Sequence, residues 1–274
     1  MKIILKAKDV LAILFVAMSL LIPSIGLYAQ QSLDSSQPTV LITGSNRGIG
    51  LELVKVFSSN HWNVIATTRQ PETSAELNMV AARSANVLVE ELDVTNQTHI
   101  DKLTIKYLNI PIDVLINNAG IYGSQEGQAW GHMDASLFDD IMRVNVFAPL
   151  KITEALIENI RISHHKKVIS ITSGAGSVSI PRVSDGGIYY SISKSALNMA
   201  MRKIAVEPVN HGLIFSLIAP GLTNTDMLRT ARPVLLSRAH PPEVSALGIF
   251  EVIMTLDENY NGNPLNFDGS MIAW

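Results

Sequence analysis

The feature that most constrains the fold of this chain is the alternation of short apolar runs with segments of helical pattern. The apolar runs are rich in β-branched residues and do not alternate strictly with polar ones, which is typical of strands covered on both faces. Six such runs are predicted as strands: 39–43, 63–67, 86–92, 112–117, 166–173 and 212–219. Repeated βα units of this kind predict a single α/β domain with a doubly wound parallel sheet of Rossmann type.

The segments between these runs carry the apolar spacing of amphipathic helices. The helix candidates are GIGLELVKVFSSN, TSAELNMVAARS, TNQTHIDKLTIKYL, DASLFDDIMRVNVFAPLKITEALIENIRIS, YYSISKSALNMAMRKIAVEP and PPEVSALGIFEVIMTL. Pro149 lies inside the fourth of them, and a proline there removes a backbone hydrogen bond or bends the helix. We therefore expect this long helix to depart from a straight course near Pro149.

The composition of the chain limits the kinds of ligand and partner that the protein is expected to bind. The chain has 274 residues, of which 47% are hydrophobic, and a formal net charge of -3. This length suits one domain, and the lack of a basic excess argues against nucleic acid and favours a small-molecule partner. The chain has no cysteine, which excludes disulfides, thiolate zinc sites and cysteine nucleophiles. No metal site is expected, because the adjacent His164 and His165 have no third ligand near them in sequence.

Residues 1–30 form a hydrophobic leader with the layout of a secretory signal peptide. Three lysines precede an apolar run over residues 10–22, and small residues follow it. An uncut membrane anchor is the main alternative, because residues 10–28 approach the ~20 residues that a spanning helix needs. A core helix is the third possibility. The polar segment 31–38 is predicted as a linker to a folded domain at 39–274.

A glycine-rich turn joins the first predicted strand to the first helix. In VLITGSNRGIGLELV the glycines are Gly44, Gly48 and Gly50, spaced as G-x-x-x-G-x-G. Glycine permits a tight turn there and lets backbone amides approach a pyrophosphate at the helix N-terminus. Such a turn can also be a plain connection, but its position after the first strand of a βα series favours a dinucleotide site.

Charge near the adenosine ribose favours NADP(H) over NAD(H). An NAD site usually has an acidic residue at the end of the second strand, whereas here that strand ends ATTRQ and carries Arg69. Arg47 lies inside the glycine turn as well. Two arginines at this corner favour a 2′-phosphate; the alternative is that both are solvated surface residues.

The stretch GGIYYSISKSALNM places two tyrosines ahead of one lysine. In a helix Tyr190 and Lys194 are four residues apart and share a face, whereas Tyr189 is rotated away. A phenol with an ordinary pKa near ~10 can act as a general acid or base at neutral pH if a nearby cation favours the phenolate. Tyr190 is therefore the candidate; the alternative is a core-edge tyrosine with a solvated lysine.

Polar residues gather at the carboxyl ends of the predicted strands or on the helices beside them. They are NNAG at 117–120, Asn145, Ser173 and the segment APGLTNTDM at 219–227. Open parallel sheets bind ligands at this edge, so these residues and Tyr190 are expected to form one site.

These motifs together resemble those of the classical short-chain dehydrogenases/reductases, and more closely those of the C-factor/sniffer-like carbonyl reductase branch. The resemblance runs from about residue 38 to the end of the chain. The motifs that carry it are T-G-x-x-x-G-x-G at 43–50, LDV at 92–94, NNAG at 117–120, Asn145, Ser173, Tyr190-x-x-x-Lys194, PG at 220–221 and the closing DGSMIAW.

The resemblance implies a role for each matching residue. Tyr190 would protonate the substrate carbonyl oxygen, and Lys194 would bind the nicotinamide ribose and lower the phenol pKa. Ser173 would hold the carbonyl oxygen, and Asn145 would sustain a proton-relay water. Asp93 and Val94 would flank the adenine. With the glycine turn and Arg69, the expected cofactor contacts are Gly44, Ser45, Asn46, Arg47, Gly48, Ile49, Gly50, Arg69, Asp93, Val94, Asn118, Ala119, Gly120, Tyr190, Lys194, Pro220, Gly221 and Thr225.

This chain departs from the family pattern at Ser191, and it offers two serines for the catalytic position. The branch usually has an arginine directly after the catalytic tyrosine, where this chain has Ser191. Ser177 precedes Tyr190 at the spacing common in the family, whereas Ser173 holds the strand end. Ser173 is preferred because the sheet determines the strand terminus while the following loop tolerates insertions. Ser177 remains the alternative.

The sequence therefore predicts an NADP(H)-dependent oxidoreductase that reduces an aldehyde, ketone or quinone to an alcohol, or runs the reverse reaction. The alternative is a dinucleotide-binding signalling module of C-factor type with little turnover. The resemblance implies a homodimer or homotetramer. The segment RTARPVLLSRAHPPEVS is either a substrate lid or a plain connection. Localisation stays open, because the leader favours export or a membrane anchor and cofactor supply favours the cytoplasm.

Overall fold

The computed structural model describes residues 33–180 and 187–274. The signal peptide or membrane anchor predicted at 1–30 lies outside the described residues, as does the start of the linker predicted at 31–38. In the two described ranges, no helix combines the length and the apolar character that crossing a membrane requires.

Seven parallel strands form one sheet in the order β3-β2-β1-β4-β5-β6-β7. The strands are β1 (Thr39–Ile42), β2 (Asn63–Thr68), β3 (Val87–Glu91), β4 (Val114–Asn117), β5 (Lys167–Ile171), β6 (Ile214–Ala219) and β7 (Pro264–Asn266). The chain builds outward from β1 to β3 and then returns to place β4 on the other side of β1. This confirms the predicted Rossmann-type parallel sheet, in which ligands bind at the carboxyl ends of the strands near that reversal.

Strand β7 is the part of the sheet that sequence reasoning missed. It has three residues, begins with Pro264 and pairs with β6 at the edge of the sheet. Proline is tolerated at the first residue of an edge strand. A run of three residues, however, carries too little periodicity to be recognised as a strand.

Eight α-helices connect the strands within the described part of the chain. They are α1 (Gly48–Ser59), α2 (Ala75–Arg83), α3 (Gln97–Lys106), α4 (Ala135–Met142), α5 (Ala148–Arg161), α6 (Ile188–Ala205), α7 (Asp226–Ala231) and α8 (Pro242–Thr255). The short helix α7 was not predicted. Asn96 before α3 and Asp134 before α4 accept hydrogen bonds from first-turn N–H groups, which explains where these two helices begin.

The departure predicted near Pro149 takes the form of a π-helical turn. Residues Arg143–Phe147 separate α4 from α5, and the N–H of Ala148 donates to the carbonyl of Arg143, five residues back. Pro149 has no N–H, so the carbonyl four residues before it, that of Asn145, receives no donor from position 149. The Asn145 side chain lies in the interior, where it is 1% exposed.

Two apolar layers cover the faces of the sheet. Along β1, Val40 and Ile42 contact one layer, which includes residues of α1 and α8, while Leu41 contacts the other, which includes residues of α3, α5 and α6. All three side chains are fully buried. Burial of one such side chain contributes about 1.5–3 kcal/mol. Both faces therefore stabilise the central strands, which explains why their apolar runs are continuous.

Candidate active site

The glycine turn between β1 and α1 is packed too tightly for a side chain at two of its positions. Gly44 has a φ of +67°, and a Cβ there would lie 3.0 Å from the Cα of Ala119. A Cβ on Gly50 would lie 2.2 Å from the carbonyl oxygen of Gly44. Both glycines are required by the path of the turn, which brings the start of α1 against the strand ends.

This turn leaves the N-terminus of α1 open. Arg47 occupies the N-cap position, and among the described residues its side chain makes no capping hydrogen bond to the helix. The first-turn N–H groups of α1 thus remain available for an anion. Asn46 and Ile49 lie half-buried in the same turn. A bare backbone turn at an open helix N-terminus fits the pyrophosphate of a dinucleotide.

Ser45 and Thr43 attach the turn to the sheet. Ser45 is fully buried and its hydroxyl donates to the carbonyl of Ile42 at 2.8 Å. The side chain of Ser45, predicted to contact a cofactor, is therefore already used by the fold. Thr43 was not among the predicted site residues, yet its hydroxyl oxygen accepts from the N–H groups of Asn118 and Ala119.

The NNAG segment after β4 lies against the glycine turn. The side-chain amide of Asn118 donates to the carbonyls of Thr43 and Gly44, at 2.9 and 3.0 Å. Space is limited at Gly120 as well, since a Cβ there would lie 3.3 Å from Asn145 Oδ1. The structure thus brings the ends of β1 and β4 together with the π-helical turn.

Arg69 and Asp93 follow β2 and β3. Arg69 is exposed and comes directly after the last residue of β2. Burial acts to raise the pKa of Asp93, but hydrogen bonds from Thr95 and the charge of Arg69 outweigh it and leave that pKa below its ordinary value. Val94 beside it is buried. A guanidinium and a carboxylate therefore share this corner of the sheet edge.

The segment after β6 meets the glycine turn from the other side. Thr225 caps α7 through its hydroxyl, and its methyl carbon would lie 3.4 Å from a Cβ on Gly48. The guanidinium of Arg47 lies 3.7 Å from the carboxylate of Asp226, the first residue of α7, and both side chains are exposed. The start of α7 and the glycine turn are therefore neighbours.

The Pro220-Gly221 turn is contacted by Thr223, from the predicted segment 219–227, and by Ser245 and His240, which sequence reasoning missed. The hydroxyl of Ser245 donates to the carbonyl of Pro220 at 2.9 Å and pairs with the hydroxyl of Thr223 at 2.7 Å. Gly221 has a φ of +74°, and a Cβ there would lie 2.7 Å from His240 Nε2. Local sequence gives no signal for Ser245 and His240, because they meet the turn only when α8 docks behind it.

Tyr190 and Ser173 meet at the carboxyl end of β5. Tyr190 lies in the first turn of α6, and its phenol lies beside the side chain of Ser173, which follows β5. Burial raises the pKa of Tyr190 to about 12, with the Ser173 side chain opposing the rise and the neighbouring Tyr122 adding to it. The phenol is consequently protonated at neutral pH, and it can donate a proton.

Ser177 and Tyr189, the alternatives to Ser173 and Tyr190, make contacts with other parts of the chain. The hydroxyl of Ser177 donates to the carbonyl of the penultimate residue at 2.5 Å, so this serine holds the C-terminal segment. Tyr189 is buried with its ring edge-on to Phe138, at a centroid distance of 5.2 Å. The helix-face argument that separated Tyr190 from Tyr189 agrees with this geometry. Of the two serines, Ser173 is the one that influences the phenol pKa, and its role in catalysis stays a prediction.

Lys194 is buried beside Tyr190 and is held by the sheet. Its amine donates to the carbonyl of Ile171 at 2.9 Å and lies 5.7 Å from the centroid of the Tyr190 ring. Burial lowers the pKa of Lys194 to about 8. The expectation that Lys194 lowers the phenol pKa stays a prediction, since burial is the largest cause of the pKa shift at both residues. Both groups are desolvated, and desolvation disfavours the charged form of each.

The side chain of Asn145 joins the π-helical turn to two other parts of the site. Its Oδ1 accepts from the N–H of Ile121 and its Nδ2 donates to the Ile121 carbonyl, both at 2.8 Å. The same Nδ2 donates to the hydroxyl oxygen of Ser193 at 3.0 Å, a contact that was not predicted. Both amide hydrogens are used, so the Asn145 side chain has no donor left for a further partner.

The segment at 229–245, predicted as a lid or a connection, belongs to a surface lobe whose two ends are joined by backbone hydrogen bonds. It begins in the last turn of α7 and includes a short 3-10 helix over Pro233–Arg238. The N–H of His240 donates to the carbonyl of Leu222, and the N–H of Asn224 donates to the carbonyl of His240. Whether this lobe moves over a substrate stays a prediction.

A sequence model of the short chain dehydrogenase family matches residues 38–235. This match covers most of the chain and includes the glycine turn, Ser173, Tyr190 and Lys194. The chain therefore belongs to the short-chain dehydrogenase/reductase family and is an oxidoreductase.

Solved structures and a curated relative agree with this assignment. The NADPH-bound carbonyl reductase from chicken fatty liver is 27% identical, with a TM-score of 0.78 over 87% of this chain and 99% of that one. The carbonyl reductase Sniffer of D. melanogaster is also 27% identical, with a TM-score of 0.76 over 87% and 100% of the two chains. The C-signal protein of Myxococcus xanthus is 32% identical over 165 residues, 60% of this chain and 93% of that protein. The predicted resemblance to carbonyl reductases and C-factor-like proteins is confirmed.

Proposed function

We propose that this protein is an NADP(H)-dependent carbonyl reductase that converts an aldehyde, ketone or quinone to an alcohol, or catalyses the reverse reaction. The observation that carries the proposal is the placement of the Tyr190 phenol between Ser173 and Lys194, with the lysine amine buried 5.7 Å from the ring centroid. A phenol that is protonated at neutral pH can protonate a carbonyl oxygen as negative charge develops on it. A neighbouring hydroxyl can hold that oxygen in place.

Each residue of the site has a distinct task in this proposal. Tyr190 donates the proton, and Ser173 orients the carbonyl oxygen toward it. Lys194 uses one ammonium hydrogen on Ile171, which leaves two for the ribose hydroxyls of a cofactor. The backbone carbonyl of Asn145 accepts from a water that restores the proton of the phenol. A bound NADPH supplies the hydride, and the protein contributes orientation and electrostatics.

NADP(H) rather than NAD(H) is the cofactor in this proposal. Arg47 and Arg69 are both exposed cations at the carboxyl edge of the sheet, and the residue directly after β2 is Arg69 rather than a carboxylate that could hold a ribose 2′-hydroxyl. Fluorescence titration with NADPH and NADH tests the choice. We expect tighter binding of NADPH, and equal affinities would contradict it. The further contacts proposed for the cofactor are Asp93, Val94, Asn118, Ala119, Gly120, Pro220, Gly221 and Thr225.

Steady-state assays that follow nicotinamide absorbance test the reaction itself. We expect the purified protein to oxidise NADPH in the presence of at least one class among aldehydes, ketones and quinones. A Tyr190→Phe variant is the matched control, because it keeps the ring and removes the proton donor. Absence of both turnover and NADPH binding in the unaltered protein would rule the proposal out.

A signalling module of C-factor type is the second candidate, because the chain is 32% identical to the C-signal protein over 165 residues. Such a module would keep the dinucleotide fold and need little turnover. The Tyr190→Phe variant separates the two candidates in the organism of origin. A cellular phenotype lost together with turnover supports the enzyme, whereas a phenotype that survives loss of turnover supports the module.

We also propose that residues 39–274 are the dinucleotide-binding domain and that residues 1–30 are a signal peptide or membrane anchor. Support comes from the charged, apolar and small-residue segments of the leader. Mass spectrometry of the mature N-terminus, combined with fractionation, tests the leader. A cut after Ala29 establishes export, and an intact N-terminus in the membrane fraction establishes an anchor. An intact N-terminus in the soluble fraction contradicts both.

A homodimer or homotetramer built on the two long helices α5 and α6 completes the proposal. Support comes from apolar side chains at the surface of and directly after α6, where Ile192, Met199 and Val206 are exposed. Exposed apolar residues grouped on a helix favour contact with another protein surface. Analytical ultracentrifugation of the purified domain tests this, and a monomer at high concentration would contradict it.

A further inference from the structure

Gln128 lies in the loop between β4 and α4 and is fully buried. Its Nε2 donates to the carbonyls of Tyr122 and Ser124, at 2.9 and 3.0 Å. Its Oε1 accepts from the N–H of Tyr190 at 3.1 Å, although Tyr190 is 62 residues away in sequence. These contacts determine the orientation of the amide, because only its NH₂ group can face two carbonyls and only its oxygen can face an N–H.

The first turn of α6 uses Gln128 as its cap. The N-cap position itself is Gly187, which has no side chain to satisfy the N–H groups of that turn. Gln128 provides an acceptor from another segment of the chain, and the N–H that it binds belongs to Tyr190. The backbone of the proposed proton donor is thereby held by a side chain from outside its own helix.

Tyr122 contacts the ring of Tyr190. The two ring centroids are 4.9 Å apart, with an angle of 35° between the planes. The buried Tyr122 hydroxyl lies so close to Gly187 that a Cβ there would be 2.3 Å from its oxygen, and it has no hydrogen-bond partner among the described residues. Since Gln128 also binds the carbonyl of Tyr122, one amide holds both the backbone of Tyr190 and the residue that packs on its ring.

We propose that Gln128 is a positioning residue for Tyr190, which keeps the phenol beside Ser173 by bridging Tyr122 and the first turn of α6. This inference rests on the proposed carbonyl reduction. Proton transfer requires heavy atoms within hydrogen-bond reach, and a misplacement of about 1 Å can lower a rate on the order of 10²-fold. Loss of the bridge therefore lowers kcat. The glycine turn that would hold the cofactor pyrophosphate lies on other elements, and Lys194 keeps its hydrogen bond to Ile171, so the affinity for the cofactor is retained.

Gln128→Met tests this role, with Asn159→Leu as the matched control. Asn159 is also buried, and its amide also donates to two loop carbonyls, those of Tyr107 and Ile110, at the amino edge of the sheet. Both variants lose buried hydrogen bonds and some thermal stability. We expect kcat for carbonyl reduction to fall by about tenfold or more in Gln128→Met only, with the dissociation constant for NADPH unchanged within about twofold.

A second variant, Gln128→Glu, gives a readout that a purely structural role would not move. A protonated carboxyl at this position can donate to the Tyr122 carbonyl and accept from the Tyr190 N–H, as the amide does. An ionised carboxylate can donate nothing and faces two carbonyl oxygens. We expect kcat near the wild-type value at low pH and a fall in kcat as pH rises through the pKa of the introduced carboxyl. Neither the unaltered protein nor Gln128→Met should show this fall in kcat with rising pH.

Hydrogen exchange at the Tyr190 amide makes the test independent of turnover. A wild-type protein without turnover would defeat the proposed function, but faster exchange at this amide in Gln128→Met than in Asn159→Leu would still support the bridge. Unchanged exchange would overturn it. In an active enzyme, a kcat within about twofold of wild type, a kcat loss matched by Asn159→Leu, or a parallel loss of NADPH affinity would also overturn the positioning role.

Discussion

The amine of Lys194 donates a hydrogen bond of 2.9 Å to the carbonyl oxygen of Ile171, the last residue of β5. This contact holds the lysine at the carboxyl edge of the sheet, where it is only 6% exposed. One hydrogen bond does not replace the hydration that the ammonium loses, and the pKa of Lys194 therefore falls to about 8.

Replacing Lys194 by methionine should remove a pH dependence of stability. The unfolded chain keeps this lysine protonated up to its ordinary pKa of 10.5, whereas the folded protein releases the proton above about 8. Between these values the unfolded state binds more protons, so the free energy of unfolding of the wild type rises with pH, by up to about 1.4 kcal/mol per unit. Tyr190 acts in the opposite direction only above pH 10, the ordinary pKa of its phenol.

Urea unfolding of both proteins on either side of pH 8 measures this difference. We expect the gap between the free energies of unfolding of wild type and Lys194→Met to change in favour of the wild type as pH rises toward 10.5, the ordinary lysine pKa. Other buried groups are common to both proteins and cancel in the comparison. Two curves that stay parallel across this window would contradict a depressed pKa.

Removing the phenol hydroxyl should abolish reduction without loss of the cofactor. Tyr190→Phe lacks the proton donor, and we expect kcat/KM to fall by about 10²–10⁴-fold. Ser173→Ala keeps the donor but lacks the group that orients the carbonyl oxygen, and a loss of about 10²-fold is expected. The buried neighbour variant Tyr189→Phe is the control and should stay near wild type. Equal losses in Tyr189→Phe and Tyr190→Phe would remove the special role of Tyr190.

Reversing the charge at Arg69 should reverse part of the cofactor preference. A glutamate there repels a 2′-phosphate, and we expect Arg69→Glu to weaken NADPH binding by about tenfold or more, equivalent to about 1.4 kcal/mol, with little change for NADH. Arg83→Glu, an exposed position on α2, controls for the change in net charge. The effect should shrink at high salt. Equal NADPH affinities of the two variants would show that Arg69 is a solvated surface residue that does not bind the 2′-phosphate.

Pro149→Ala tests the origin of the π-helical turn. The substitution restores an N–H that can donate to the carbonyl of Asn145 and so competes with a water there. We expect kcat to fall by about tenfold while NADPH affinity is kept. Pro242→Ala is the matched control, because a proline at the start of α8 removes no hydrogen bond that the helix needs. An unchanged kcat would show that the Asn145 carbonyl takes no part in proton transfer.

Gly187→Ala should destabilise the protein for two separable reasons. The residue has a φ of +73°, which an alanine adopts at a cost of about 1–2 kcal/mol, and its Cβ would lie 2.3 Å from the Tyr122 hydroxyl oxygen. Tyr122→Phe removes that oxygen, so the double variant should be more stable than Gly187→Ala alone. Gly174→Ala, where nothing lies within 4 Å, is the control. Equal stability of the single and double variants, measured by thermal unfolding, would exclude the steric term.

Much of the fold followed from local pattern. Continuous β-branched runs predicted six of the seven strands, because a strand buried on both faces needs apolar residues at every position, as Val40, Leu41 and Ile42 show. Strand β7 escaped because three residues show no period, and its register depends on β6 rather than on its own residues. A departure from a straight helix near Pro149 was predicted, but its form as a π-helical turn was not. In that turn the buried Asn145 side chain bonds to Ile121 and Ser193, which lie far from it in sequence.

By itself the sequence determined what depends on neighbours along the chain. The glycine spacing at Gly44 and Gly50 and the four-residue separation of Tyr190 and Lys194 are local geometry, which the backbone of a turn or a helix dictates. Only the tertiary structure decided which serine meets the phenol, that Ser45 serves the sheet, and that Gln128 caps α6. These contacts join segments that are distant in sequence, and whether a hydroxyl or an amide is satisfied there depends on how the elements dock, which local periodicity does not encode.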